Sequence, residues 1–287
     1  MAGLIVRKPD GSILLDSSRI TYGLLRSGYL TRAGTWPRKA LRSIQLDPNN
    51  GQNWTDNVAM VDDVWSFTVY GAVAPMLFLT GDGTLNGSTT SGDTVTYYFL
   101  NATSSTKVYA FDQMREMGSG PRLRTRNVSN GVVTFNSYMV PLNVIATVQA
   151  PTIPSSPLPP FNPAETWRAT TYNGGYNVYV RYIATNTSPI MYSKVDIPLS
   201  GEEYAACITF TRGGTVEMQD PSGANHRYGI SEGAGGYNGG VTFMFGPAGG
   251  TPLQNSGGSG TRFNGILTDR LPTALIVRTS NLPFPFN

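Results

Sequence analysis

One phrase occurs twice in this chain, and it limits the possible folds more than any other feature. The first copy reads Leu4-Ile5-Val6-Arg7-Lys8-Pro9-Asp10-Gly11-Ser12-Ile13-Leu14-Leu15-Asp16-Ser17. The second begins at Leu123-Arg124-Thr125-Arg126, turns at Asn130-Gly131, and ends Val132-Val133-Thr134-Phe135-Asn136-Ser137. Each copy is a short extended run, an Asp-Gly or Asn-Gly turn, a second β-favouring run, and a closing Asp-Ser or Asn-Ser. Asn or Asp followed by Gly supplies the positive φ angles that tight hairpin turns need, so each copy predicts a β-hairpin. The two hairpins could be neighbours in one sandwich or begin two separate modules.

The rest of the chain agrees with a β fold. Apolar residues never hold a helical period for more than two turns without a Gly or Pro interruption. Strand-like runs recur instead: Ile13–Leu15, Val64–Tyr70, Met76–Thr80, Val95–Leu100, Lys107–Phe111 and Val132–Phe135 in the first half. Leu142–Val148, Tyr176–Tyr182, Tyr192–Ile197, Tyr204–Thr211, Val241–Phe245 and Ala274–Thr279 follow. Turn-forming clusters separate them at roughly 8–15 residues, the spacing of sandwiches and barrels. The expected fold class is all-β, with β-sandwich modules of short antiparallel strands and long Gly/Pro-rich loops. Charged residues make up only 14% of the chain, against a usual share of about 25%, while 40% hydrophobic content is ample for a core and argues against disorder.

Residues 151–163 hold six prolines in thirteen positions, from Pro151 to Pro163. Such a segment cannot enter a sheet interior and favours stiff, extended geometry. It predicts a linker between an N-terminal β domain (1–150) that carries both hairpins and a C-terminal β domain (164–287).

Chemical motifs are sparse. His226 is the only histidine and Cys207 the only cysteine, and no Gly-x-Ser-x-Gly elbow accompanies them. Cys207 lies in the apolar run Ala205–Phe210 and is expected to act as a small buried hydrophobe. No metal-ligand spacing, phosphate-binding loop or dinucleotide fingerprint is present, so neither a metal nor a cofactor is expected. The carboxylate pairs Asp62-Asp63, Glu202-Glu203 and Glu217 with Asp220 would be the material for glycoside hydrolysis. Adjacent Asp62 and Asp63 point to opposite faces when extended, which argues against a shared site. The loop Gly81–Gly87 lacks the acidic pattern of a calcium loop and is expected to be a polar hairpin connection. Net charge is +3 with scattered basic residues, so nucleic-acid binding is not expected. Arg122, Arg124 and Arg126 alternate, and so share one face of a strand, expected to be solvated or to contact another subunit.

Region 213–260 is the densest in glycine, with Tyr228, Tyr237, Phe243 and Phe245 standing between the glycines. Glycine lets backbones approach closely and aromatics supply contact area at low entropic cost, so these four residues are candidate ligand contacts. The same loops could instead order against neighbouring subunits. The N-terminus has no basic stretch followed by an apolar one, so no signal peptide is expected and the chain is expected to be made in a cytoplasm. The longest apolar run, Val69–Leu79, is interrupted by Pro75 and is too short to insert into a membrane.

The start Gly3-Leu4-Ile5-Val6-Arg7 with Asp10-Gly11 and Leu15-Asp16-Ser17 resembles the opening of tail-tip proteins of tailed bacteriophages. The second copy, Gly131–Ser137, shares that likeness, with Phe135-Asn136-Ser137 matching a Phe-Asp-Ser-like close. The end, Ala274–Arg278 through Leu282-Pro283-Phe284-Pro285-Phe286, is similar to the way such chains finish. The resemblance implies a non-enzymatic structural protein in the tail tip or baseplate of a phage of Gram-negative bacteria, located in the virion and assembled in the host cytoplasm. It implies contact with other tail and baseplate proteins and with copies of itself, a trimer being expected because such attachment sites have cyclic symmetry. A receptor-binding adhesin for a host surface glycan or pilus is the alternative, and a glycan-degrading tailspike is a third reading.

Overall fold

The computed structural model describes residues 5–7, 9–11, 13–16, 19–41, 50–154, 171–181, 189–219, 225–249, 252–255 and 262–287. In chain order the strands are β1 (Ile5–Arg7), β2 (Ile13–Asp16), β3 (Tyr22–Tyr29), β4 (Thr31–Leu41), β5 (Trp54–Val69), β6 (Met76–Thr80), β7 (Thr84–Ser91), β8 (Thr94–Leu100) and β9 (Lys107–Gln113). There follow β10 (Arg124–Arg126), β11 (Val133–Asn136), β12 (Ala146–Gln149), β13 (Tyr176–Arg181), β14 (Pro189–Ile208), β15 (Gly213–Gln219), β16 (Asn225–Pro247), β17 (Pro252–Asn255), β18 (Arg262–Asn264) and β19 (Thr273–Arg278). Among the described residues nearly all regular structure is strand, with a single 3-10 turn at Gly51–Asn53, so the fold is all-β.

The alternation of side chains decides how the strands pack. Antiparallel β9 and β6 place Leu77 opposite Ala110 and Leu79 opposite Val108 on one face, and Phe78 opposite Tyr109 on the other. The first face packs on Phe67, Val69 and Phe99 from β5 and β8, which pair with each other in the facing layer. Farther along this face, Ala206, Ala274 and Ile276 join a second core with Tyr172, Val216, Phe243 and Phe245. Two layers with apolar inner faces thus bury a common interior, and a side chain such as Val69 or Phe99, at most 1% exposed, contributes about 1.5–3 kcal/mol by its burial.

The opposite face of β3, β9, β6, β14 and β19 carries Leu24, Phe78, Tyr109, Phe111, Ala205 and Val277. The chain's own end covers it. Leu282, Phe284 and Phe286 pack on this cluster, and Ser27 and Phe286 exchange backbone hydrogen bonds of 2.9 and 3.0 Å. The Phe284 ring meets Tyr29 edge-on at 4.8 Å and Tyr109 at 5.5 Å.

The expected boundary at residue 150 does not separate two sheets. β6 pairs with β14 at Leu79↔Ala206, β12 pairs with β19, and β17 runs parallel to β4. Strand edges on each side of the boundary find hydrogen-bond partners on the other, which spares both from unpaired backbone groups. Within the Pro-rich segment, Thr152 accepts a backbone bond from Asn173 at 2.7 Å, and residues 155–163 lie outside the described residues.

Both expected hairpins form, each as its own two-stranded sheet. β1 pairs with β2 as Ile5↔Asp16, Val6↔Leu15 and Arg7↔Ile13; β10 pairs with β11 as Arg124↔Asn136, Thr125↔Phe135 and Arg126↔Val133. A register shift falls at the same step in both copies, Val6/Arg7 and Thr125/Arg126. Gly11 and Gly131 have φ of 83° and 73°, the left-handed conformation the Asp-Gly and Asn-Gly turns anticipate. In each copy an arginine bridges its own turn: Arg7 Nη1 donates to the Gly11 carbonyl at 2.9 Å, and Arg126 Nη1 to the Gly131 carbonyl at 3.0 Å.

Candidate functional site

The four aromatic candidates are not one surface. Phe243 and Phe245 are fully buried and Tyr228 nearly so, because β16 is a long core strand in which Val241, Phe243 and Phe245 face Ile197, Val195 and Ser193 of β14. Their area is spent inside the molecule. Phe245 stacks at 5.4 Å from Tyr172 and lies 5.4 Å beneath the Arg212 guanidinium. The surface loops expected in this region are largely strand, and the run 257–260 lies outside the described residues.

Glycine makes that strand possible at a crowded crossing. A Cβ on Gly235 would sit 1.9 Å from the Gly81 carbonyl oxygen, and one on Gly236 1.9 Å from that of Tyr204. These glycines serve close backbone approach within the chain rather than to a ligand.

Only Tyr237 reaches the surface, half-buried, and it belongs to a cluster that the spacing in sequence does not announce. β13 and β14 set Tyr176 opposite Lys194, and β14 and β16 set Asp196 opposite Thr242. Asp196 accepts hydrogen bonds from Tyr176 Oη at 2.8 Å and from Thr242 Oγ1 at 2.5 Å, and Lys194 pairs with Asp82. Burial, then the bond to Asp196 and its charge, push the Tyr176 phenol well up; burial and Asp196 raise that of Tyr237. Both phenols therefore stay protonated at any physiological pH; Tyr176, 44% exposed, donates to the Asp196 carboxylate, and Tyr237 lies within reach of its charge. Two tyrosines, a carboxylate and an ammonium group on one face can stack on an apolar ring face and exchange hydrogen bonds with hydroxyls. Lys194 and Asp196 stand at alternate positions of the strand predicted over Tyr192–Ile197, which marks them as outward; their meeting with Tyr176 and Thr242 required the register.

Beneath the core lies a second polar group. Arg212 and Glu232, at most 1% exposed, form a bidentate pair at 2.6 and 2.7 Å; Tyr172 Oη donates to Glu232 at 2.8 Å, and Arg212 Nη1 donates to the Leu267 carbonyl at 3.1 Å. Burial and the neighbouring Glu232 carboxylate hold the Tyr172 phenol well above its ordinary range.

The other candidate groups are dispersed. Burial pushes the Cys207 thiol up to about 11, which suppresses the thiolate at neutral pH. Asp62 is buried while its neighbour Asp63 is exposed and bonded to Arg32 at 2.8 Å, in keeping with opposite faces. Glu203 pairs with Lys107 and Glu202 with Arg278, each at 2.8 Å. The side chains of His226, Glu217 and Asp220 lie outside the described residues. Gly81–Gly87 is a turn leading into a strand, for Thr84–Ser91 pairs with β8 and the hairpin turns later, at Gly92. Arg124 and Arg126 share one partner, Glu116. Among the described residues no group of three or more His, Cys, Asp or Glu is placed to hold a metal ion, and no helix is long and apolar enough to cross a membrane.

The two hairpins differ in what they touch. The second is seated on the body: Val133, Thr134 and Asn136 are buried, the Asn136 amide donates to the carbonyls of Arg115 and Met117, and Thr134 accepts from the Thr21 backbone. In the first, Ile5 and Ile13 are 53% and 46% exposed. Comparison with known protein families, with curated proteins and with solved structures finds no match to this chain.

Proposed function

We propose that this chain is a structural component of the tail tip or baseplate of a tailed phage of Gram-negative bacteria, acting as a homo-oligomer, a trimer, that joins other tail proteins in the virion. One observation carries the reading. Two hairpins share a register shift, a left-handed glycine and an arginine bridge, yet one is seated on its own chain and the other presents bare isoleucines. A module seated on its own body in one copy, and leaving Ile5 and Ile13 exposed among the described residues of the other, has the form of a docking element, and exposed apolar surface favours a protein partner. The low charge and the likeness of the chain's two ends to tail-tip proteins point the same way.

The test is a phage carrying Ile5→Asp with Ile13→Asp. Both side chains are exposed, so the purified variant should melt like the parent while its incorporation into particles is lost. Full incorporation with normal infectivity would refute the docking role. The cluster of Tyr176, Tyr237 and Asp196 favours a second reading, recognition of a host surface glycan. Binding of the purified chain to host polysaccharide, abolished by Tyr176→Ala, would support it.

A further inference from the structure

A cleft of about 360 Å³ opens where β6 and β14 part. The two strands meet at a single step, Leu79↔Ala206. An antiparallel ladder would continue through Leu77 and Ile208 to Met76 and Thr209. Instead β6 stays with β9 and β14 stays with β19, and those four residues line the cleft. Phe99 and Tyr97 of β8 form the facing wall, so the cleft lies at the seam between the two inner cores, with Met76, Cys207 and Leu275 of the opposite-face cluster completing its lining.

Its chemistry is one-sided. None of the residues lining it carries a charge. The polar side-chain atoms are the Tyr97 and Thr209 hydroxyls and the Cys207 thiol, which stays protonated at neutral pH. Leu85 at the mouth is 41% exposed, an apolar side chain held at the water's edge. The volume is at the lower end of the roughly 300–1,000 Å³ of small-molecule sites. Its lining follows both strands, from Pro75 to Leu79 on one side and from Ala206 to Thr209 on the other, so the cleft runs along the strand direction, which suits a flexible linear chain better than a broad ring system. No cation is present to neutralise a carboxylate or phosphate inside, so a charged head must remain in solvent.

We propose that this cleft binds one unbranched acyl or alkyl chain of medium length, apolar end inward, with the polar head left at the mouth beside Thr209 and Leu85. A free fatty chain and the tail of a membrane lipid share this chemistry. The site is independent of the docking hairpin and of the tail-tip reading.

Cys207 is the only cysteine and lines the cleft, so it reports occupancy directly. The full-length chain is treated with iodoacetamide at pH 9, where the raised thiol still supplies a measurable fraction of thiolate, in the presence and absence of dodecanol, of dodecanoate, and of dioleoyl-phosphatidylcholine vesicles. At a ligand concentration about ten times its Kd, alkylation of Cys207 should slow about tenfold. Protection by dodecanol and dodecanoate alone identifies a free chain as the ligand; protection by vesicles as well identifies a lipid tail. Leu85→Arg, at an exposed position, should leave melting unchanged and remove the protection. The proposal is overturned if no probe slows alkylation of the parent chain, or if a folded Leu85→Arg variant is protected equally.

Discussion

Replacing Glu232 by Gln removes the carboxylate paired with Arg212 and leaves the guanidinium buried at 1% exposure. The carboxylate accepts three hydrogen bonds, two from Arg212 and one from Tyr172, all between 2.6 and 2.8 Å. The neutral amide can accept at one atom only, and its NH2 group turns donors toward donors. Breaking a buried pair from one side costs about 3–5 kcal/mol, since the remaining ion is neither solvated nor compensated. At roughly 2.1 cal/mol/K of unfolding entropy per residue, a chain of this length should lose about 5–8 °C in Tm. The same physics sets the control. Removing the whole network in Arg212→Met, Glu232→Leu, Tyr172→Phe leaves no unpaired ion, so this triple variant should melt well above the single one. Calorimetry and urea unfolding of the parent, single and triple variants measure both differences. The reasoning fails if Glu232→Gln costs less than about 1 kcal/mol, the scale of one ordinary hydrogen bond, or if the triple variant is no more stable than the single one.

Gly131→Val places a β-branched residue at φ 73°, where open space surrounds the Cβ but the backbone conformation is unfavourable; a loss of about 1–3 kcal/mol is expected in chemical unfolding, and unchanged stability would count against the turn. Gly236→Ala drives a Cβ into the Tyr204 carbonyl, so soluble folded protein should be lost or destabilised by more than about 4 kcal/mol; near-parental melting would show that the crossing can relax. Partial burial pushes the Glu203 carboxyl up, but hydrogen bonds from Lys107 and Thr279 and the Lys107 charge outweigh it, and its pKa is lowered. Its contribution to stability is thus present above the unfolded value near pH 4.5 and lost as pH falls through the lower folded value. In acid titrations of Tm, Glu203→Gln should flatten that part of the curve, and an unchanged slope would refute the assignment.

Much of the fold was legible because strand period and turn chemistry are local. Met76–Thr80 was predicted at its observed bounds, and Asp10-Gly11 and Asn130-Gly131 turn the chain where their φ preferences place them. Strands without a clear apolar alternation were missed. β4 holds Arg32, Gly34 and Pro37 and accommodates them with register shifts at Arg32/Gly34 and Pro37/Arg38. β16 was hidden by its glycines, although Tyr228, Ile230 and Ala234, and then Val241, Phe243 and Phe245, keep a period of two on either side of Gly239, whose φ is 114°. The Pro-rich stretch suggested two units, but backbone pairing across it is a long-range property that composition does not encode. The Tyr176–Asp196–Thr242 cluster and the cleft beside Cys207 depend on register and on where two strands part, so neither could be read from spacing.

The proposed role makes this chain a part of the virion. Quantitative mass spectrometry of purified phage particles, scaled to a tail component of known copy number, tests it most directly. A fixed stoichiometry in multiples of three, retained in isolated tails, is the expected result; absence of the chain from intact particles would contradict the account.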